Sequence, residues 1–227
     1  MMRNHSVFAL FALLAGLAGH VCTAQAAGET FPSAEAASQA LYQAIREDNE
    51  QALTGILGAG NEFVSGDDPA QERREREQFA RKYAQMHRLA RASDGSTILY
   101  VGAENWPFPF PLVQESAAWH FDATVGMEEV LARRIGENEL AAIATSRALA
   151  SRADDARPAP LYGYYFRRLP GQKTVVAYPA QYRVSGVMTF LAGPDDRVFE
   201  KDLGPDSVAA AKAIVQPDSL SSWHRVE

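Results

Sequence analysis

The sequence predicts an α+β protein: N-terminal helices with a small antiparallel sheet at about 97 to 122, then helices packed on a C-terminal antiparallel meander from about 161 to 203. Three observations predict it. After Ser33 and again after Asp68, apolar residues recur every three or four positions, the spacing of one helical face. From Tyr162 the period changes to two, the spacing of one strand face. The links between these later runs are short and rich in Gly, Pro and Asp, too short for the crossovers that parallel strands need.

The first element is an address. Arg3 supplies a positive start, and Val7 to Ala18 is an apolar run shorter than the roughly 20 residues that span a bilayer. Ala24-Gln25-Ala26 is a small-x-small site, so residues 1–26 read as a signal peptide cleaved after Ala26. The expected location is periplasmic or extracellular, with no transmembrane helix in the mature chain. Gly19-His20-Val21 is a poor lead-in for a lipoprotein cysteine, so Cys22 is expected to leave with the signal. The mature chain then holds no cysteine, which excludes a disulfide, a thiol nucleophile and cysteine-held zinc or iron–sulfur. The rest divides into an N-terminal α+β subdomain, 27–124, and a C-terminal helix-plus-antiparallel-sheet subdomain, 125–227.

Ser33 caps a helix whose stripe is Ala37, Leu41 and Ile45. Asp48 starts a second, short helix with Gln51 as its capping-box partner, and Gly58 closes it. Asp68-Pro69 opens a third that runs to about Arg91. Its stripe is Phe79, Tyr83, Met86 and Leu89, and the charged run from Glu72 to Glu77 reads as its solvated face. Thr97 to Val101 is a strand, and Pro109–Glu115 with Ala118–Asp122 forms a hairpin about Ser116-Ala117. Alternating prolines at 107, 109 and 111 forbid a central strand, so Trp106 to Pro111 reads as an extended edge displaying Trp106, Phe108 and Phe110. Met127 to Ile135 is a helix ended by Gly136. Asn138 caps another to about Arg152, and Ala156 to Pro160 is a connector. Strands follow at Tyr162–Leu169, Thr174–Tyr178, Val184–Leu191 and Arg197–Glu200, and Ser207 to Val215 is a closing helix.

The formal net charge is −6 and no long basic run occurs, which argues against nucleic acid as a partner. No HExxH, phosphate loop, dinucleotide fingerprint or serine-elbow pattern is present, and the mature histidines, His87, His120 and His224, lack metal-ligand spacing. No cofactor or metal is expected. The candidates are therefore for ligand binding. His120 and Asp122 lie two apart on a predicted strand and share a face, which suits an oriented base as well as a plain polar face. Arg133 and Arg134 suit an anion, and equally a helix C-terminus. Trp106, Phe108, Phe110, Tyr164 and Tyr165 suit a hydrophobic or glycan-type groove, or the core.

Several phrases carry a resemblance. Asn105-Trp106-Pro107-Phe108-Pro109-Phe110-Pro111-Leu112-Val113, Trp119-His120-Phe121-Asp122 and Arg133-Arg134-Ile135-Gly136-Glu137-Asn138-Glu139-Leu140 carry its first half. Gly163-Tyr164-Tyr165-Phe166-Arg167, Tyr178-Pro179-Ala180, Ser185-Gly186-Val187-Met188-Thr189-Phe190 and Lys201-Asp202-Leu203-Gly204 carry its second. Together they resemble a secreted bacterial family known as domain of unknown function 2950. The segments at Ala153–Pro160 and Pro170–Lys173 are shorter than is usual there, and Arg183 stands where members usually have Gly. The resemblance implies export and family membership, and no activity. The expectation is an exported cell-envelope protein, a non-catalytic module binding another envelope protein or polymer. The alternative is a periplasmic hydrolase using carboxylates and His120.

Overall fold

The computed structural model describes residues 28–58, 69–152, 159–216 and 220–226. The expected signal peptide, Cys22, the Asp68 cap and most of the 156–160 connector lie outside the described residues. The described chain is α+β, with two antiparallel five-stranded sheets and helices on both.

Helix α1 (Ala34–Arg46) starts where Ser33 Oγ accepts the Ala36 N–H at 3.1 Å. Helix α2 (Glu50–Leu57) is capped by Asn49 rather than Asp48: Asn49 Oδ1 accepts the Ala52 N–H at 3.0 Å. Asp48 instead takes the left-handed conformation, φ 53°, that turns the chain between the two helices. Helix α3 (Pro69–Gln85) stops earlier than expected, and His87–Arg91 is strand β1. Leu89 satisfies a helical stripe and a strand face equally, so local residues decide. His87 Nδ1 lies 2.9 Å from Tyr83 O, occupying a carbonyl of the helix end. Asp94 Oδ1 accepts from Ser96 N–H and Ser96 Oγ–H and, with Gly95 at φ 89°, closes a hairpin. That hairpin pairs β1 with β2 (Thr97–Val101), His87 opposite Val101. Tyr83 pins this corner: its ring stacks between Tyr42 and His87, and its hydroxyl shares a 2.8 Å bond with Ser38.

Strand β3 (Trp106–Pro107) is a two-residue edge on β2. The expected display of all three aromatics is corrected here. Trp106 is exposed, but Phe108 and Phe110 turn into the core beside Phe121, because an apolar ring gains more from burial than an edge loses to proline. Strands β4 (Leu112–Glu115) and β5 (Ala118–Phe121) form the expected hairpin. Ser116 and Ala117 both carry positive φ, as a two-residue hairpin turn requires.

The two helices expected on either side of Gly136 are one continuous helix, α4 (Ala123–Ser151). Its two halves bury opposite faces. Gly126 meets the first core and Ala142 the second, and at 3.6 residues per turn they point roughly 160° apart. Each half thus carries its own stripe, which is why the segment reads as two helices. Gly136 costs the helix about 1 kcal/mol relative to Ala, which packing at both ends outweighs. Asn138 is no cap: its amide donates to Ser185 O at 2.9 Å. Glu139 accepts the backbone N–H groups of Val187 and Met188, each at 2.9 Å, and so docks α4 on the second sheet.

That sheet runs β10-β9-β8-β7-β6. Its strands are β6 (Tyr164–Arg168), β7 (Val175–Pro179), β8 (Met188–Ala192), β9 (Val198–Asp202) and β10 (His224–Val226), the last unforeseen. Residues 162 and 163, expected in a strand, form a turn at positive φ. Helix α5 (Ser207–Ala213) covers the face opposite α4 with Ala211 against Val176 and Leu191. Covered on both faces, β7 buries all five of its residues, whereas β2 alternates buried and half-buried positions.

Candidate functional site

A cleft of about 640 Å³ opens where α1, α2 and α3 face the β2–β3 edge and the first half of α4. The spacing that buried Leu41, Leu53 and Leu57 in the helical core also lays them, with Ile45, Phe79 and Phe108, along its floor. Trp106, 41% exposed, stands at the mouth. The Arg133 guanidinium lies over its ring, 5.3 Å from the centroid, close enough for a cation–π attraction. Arg133 is held in place by Glu129 Oε1 at 2.7 Å and by Pro107 O at 2.9 Å, a bond that also ties α4 to β3. Arg134, the next residue, and Glu137, one turn along, line the same wall.

Across the cleft are two cations that the sequence reading passed over. Arg76 belongs to the charged run read as a solvated face, yet its side chain is only 14% exposed. It binds Asp48 at 2.6 Å, Glu50 at 2.5 Å and Glu72. Burial works against its charge, but hydrogen bonds to Glu50 and Asp48, with the attraction of Glu72, outweigh that and raise its pKa above the ordinary guanidinium value. Lys82 pairs with Glu104, and its hydrogen bond holds the Glu104 carboxyl below the usual range. The only local sign of Arg76's role was its spacing, one turn from Glu72 on the side of Phe79.

The other candidates do not join this cleft. Asp122 ends up past β5, where its carboxylate caps α4 by accepting the Val125 N–H at 3.0 Å. His120 is half-buried opposite Val113 and does not line the cleft. Phe110 is fully buried against Gly126. Tyr164 is fully buried in the second sheet, its hydroxyl donating to Met188 O at 2.9 Å, with its pKa pushed far up by burial and by the adjacent Glu139 carboxylate. Tyr165 packs on Tyr178, on the α5 side of that sheet. The five aromatics therefore form no single groove. Of the nine candidates, Trp106, Phe108, Arg133 and Arg134 converge. Among the described residues, no group of three or more His, Asp or Glu side chains is placed to hold a metal ion, and no helix is long and apolar enough to cross a membrane.

No curated protein and no solved structure matches the chain significantly. A family model does, over residues 28–156 and 168–226, with a break that takes in the Gly163–Arg167 phrase. The match spans the first sheet, all of α4 and the second sheet apart from most of β6. The chain therefore belongs to the family described as protein of unknown function DUF2950.

Proposed function

We propose that this is an exported cell-envelope protein without catalytic activity, which binds a ligand or an envelope partner at the cleft between the three N-terminal helices and α4. One observation carries the reading: an exposed Trp106, with a fixed Arg133 guanidinium over its ring, lines a largely apolar cleft of about 640 Å³. That volume falls within the range of small-molecule sites. A rigid aromatic and a pinned guanidinium are the groups that bind without a large ordering cost. Export rests on the Met1–Ala26 pattern. The rival hydrolase has less support, because its histidine is away from the cleft and Asp122 is committed to a helix cap.

The test is recovery of tagged protein from an envelope preparation, followed by identification of co-captured proteins and of solvent-extractable compounds. Wild type is compared with Trp106→Ala, whose fold is checked by circular dichroism. Loss of a bound component from the variant supports the reading. Equal recovery of every component, or substrate turnover that vanishes in His120→Ala, removes it.

A further inference from the structure

Resting on that cleft, we infer that its ligand is a single-chain amphiphile with an anionic head, and that the head lies against Lys82, Arg133 and Arg134. The floor calls for an apolar tail. Leu53, Leu57, Phe79 and Phe108 come from two helices and an edge segment, and their side chains present only carbon, so water there finds few partners.

Charge orients the molecule, because the cleft has two unlike ends. At the α2–α3 end, Arg76 is enclosed by Asp48, Glu50 and Glu72, with Glu75 beside it, and an anion is repelled. At the Trp106 end, Lys82 pairs with Glu104 and Arg133 with Glu129, and Arg134 and Glu137 line the adjoining wall. The side chains of Glu104 and Glu129 are 48% and 45% exposed. Ion pairs that open to water contribute little, so a ligand anion exchanges with them at small cost. Arg133 is already fixed by Pro107 O and the Trp106 ring, and a guanidinium has more donors than those contacts use. A carboxylate or a phosphate ester meets these demands equally, since both accept paired N–H donors.

Four dodecyl compounds separate head from tail: dodecanoate, dodecyl phosphate, dodecyl maltoside and dodecyltrimethylammonium. Each is titrated into the purified full chain by calorimetry, below its micelle concentration. The two anions are expected to bind about tenfold or more tighter than the others. Arg133→Gln with Arg134→Gln should erase that preference, bringing the two anions to the level of the maltoside, with the variant's fold checked by circular dichroism. Ile45→Trp fills the floor from a half-buried position and should abolish binding of all four; Val130→Trp replaces it if it misfolds. Lys212→Gln, on α5, is the remote control. Equal affinity for all four heads, or an anion preference untouched by the double arginine variant, overturns the assigned head while the cleft stands. Binding that both tryptophan variants leave intact, or no binding at all by the folded wild type, overturns the amphiphile and counts against the cleft as well.

Discussion

Gly126 lacks a side chain because the Phe110 ring occupies the space one would need. A Cβ there would lie 1.9 Å from Phe110 Cδ1, so a side chain at Gly126 forces the ring to move. Gly126→Ala should cost about 1–3 kcal/mol through overpacking. Phe110→Leu should cost a similar amount through lost contacts. The double variant should cost less than the two together, by about 1 kcal/mol or more in a chemical-denaturation cycle, because the smaller side chain makes room for the methyl. Strict additivity would mean that the two sites do not press on each other. Arg183 poses the opposite problem. It adopts φ 58° in the loop before β8, at the position where the family resemblance leads one to expect Gly. Its backbone N–H donates to Gly186 O at 2.8 Å, a bond glycine would keep. Arg183→Gly forfeits a stack on Tyr182 and loosens the unfolded chain, yet relieves left-handed strain of about 1 kcal/mol. These terms are of similar size and nearly cancel, so the denaturation midpoint should stay within the equivalent of about 0.5 kcal/mol of wild type. A larger fall would show that the guanidinium contact outweighs the strain.

Elements were legible in the sequence where one face decided them and illegible where tertiary contacts did. Strands β6 and β9 announced themselves by period-two patterning between turn residues, and α1 by Ser33 and its stripe; β8 starts at Met188, four residues later than the Val184 expected. The β10 strand did not announce itself, because three residues are too few for a period. The β1 error arose because Leu89 fits either pattern, and the outcome depended on the Asp94–Ser96 turn. That turn makes its own prediction. The Ser96 hydroxyl and N–H bonds hold the Asp94 carboxyl below its ordinary value. A lowered carboxylate pKa contributes stability that is present above the unfolded value, about 4, and is lost as pH falls through the folded one. The stability lost in Ser96→Ala should therefore be largest near neutral pH and shrink below about pH 4. A difference that stays constant into acid, in melts across pH, would mean that the hydroxyl acts only by packing.

Across the molecule, α4 is the one described element that builds both cores, and it also forms a wall of the cleft. The cleft was half legible for the same reason. Trp106, Arg133 and Arg134 were visible as an exposed-type aromatic among prolines and a paired cation. Ile45, Arg76 and Lys82 were not, because their meeting with residues 101–137 is a product of packing. Gly136 sits between the halves of α4 in ordinary helical conformation, and a Cβ there would meet nothing within 4 Å. Gly136→Ala should thus stabilise by about 0.5–1 kcal/mol and keep a single transition. Gly136→Pro removes a helical bond, clashes with the preceding turn and costs about 3 kcal/mol or more. If α4 transmits order from one core to the other, calorimetry of the proline variant should resolve two transitions, with the lower one reported by Trp106 and Trp119 in the first body. The helix half that walls the cleft would loosen with that first transition, so ligand-induced stabilisation should disappear from the proline variant and survive in the alanine one. A proline variant that melts in one step, at the wild-type midpoint and with ligand stabilisation intact, would show that the two bodies are coupled by something other than this helix.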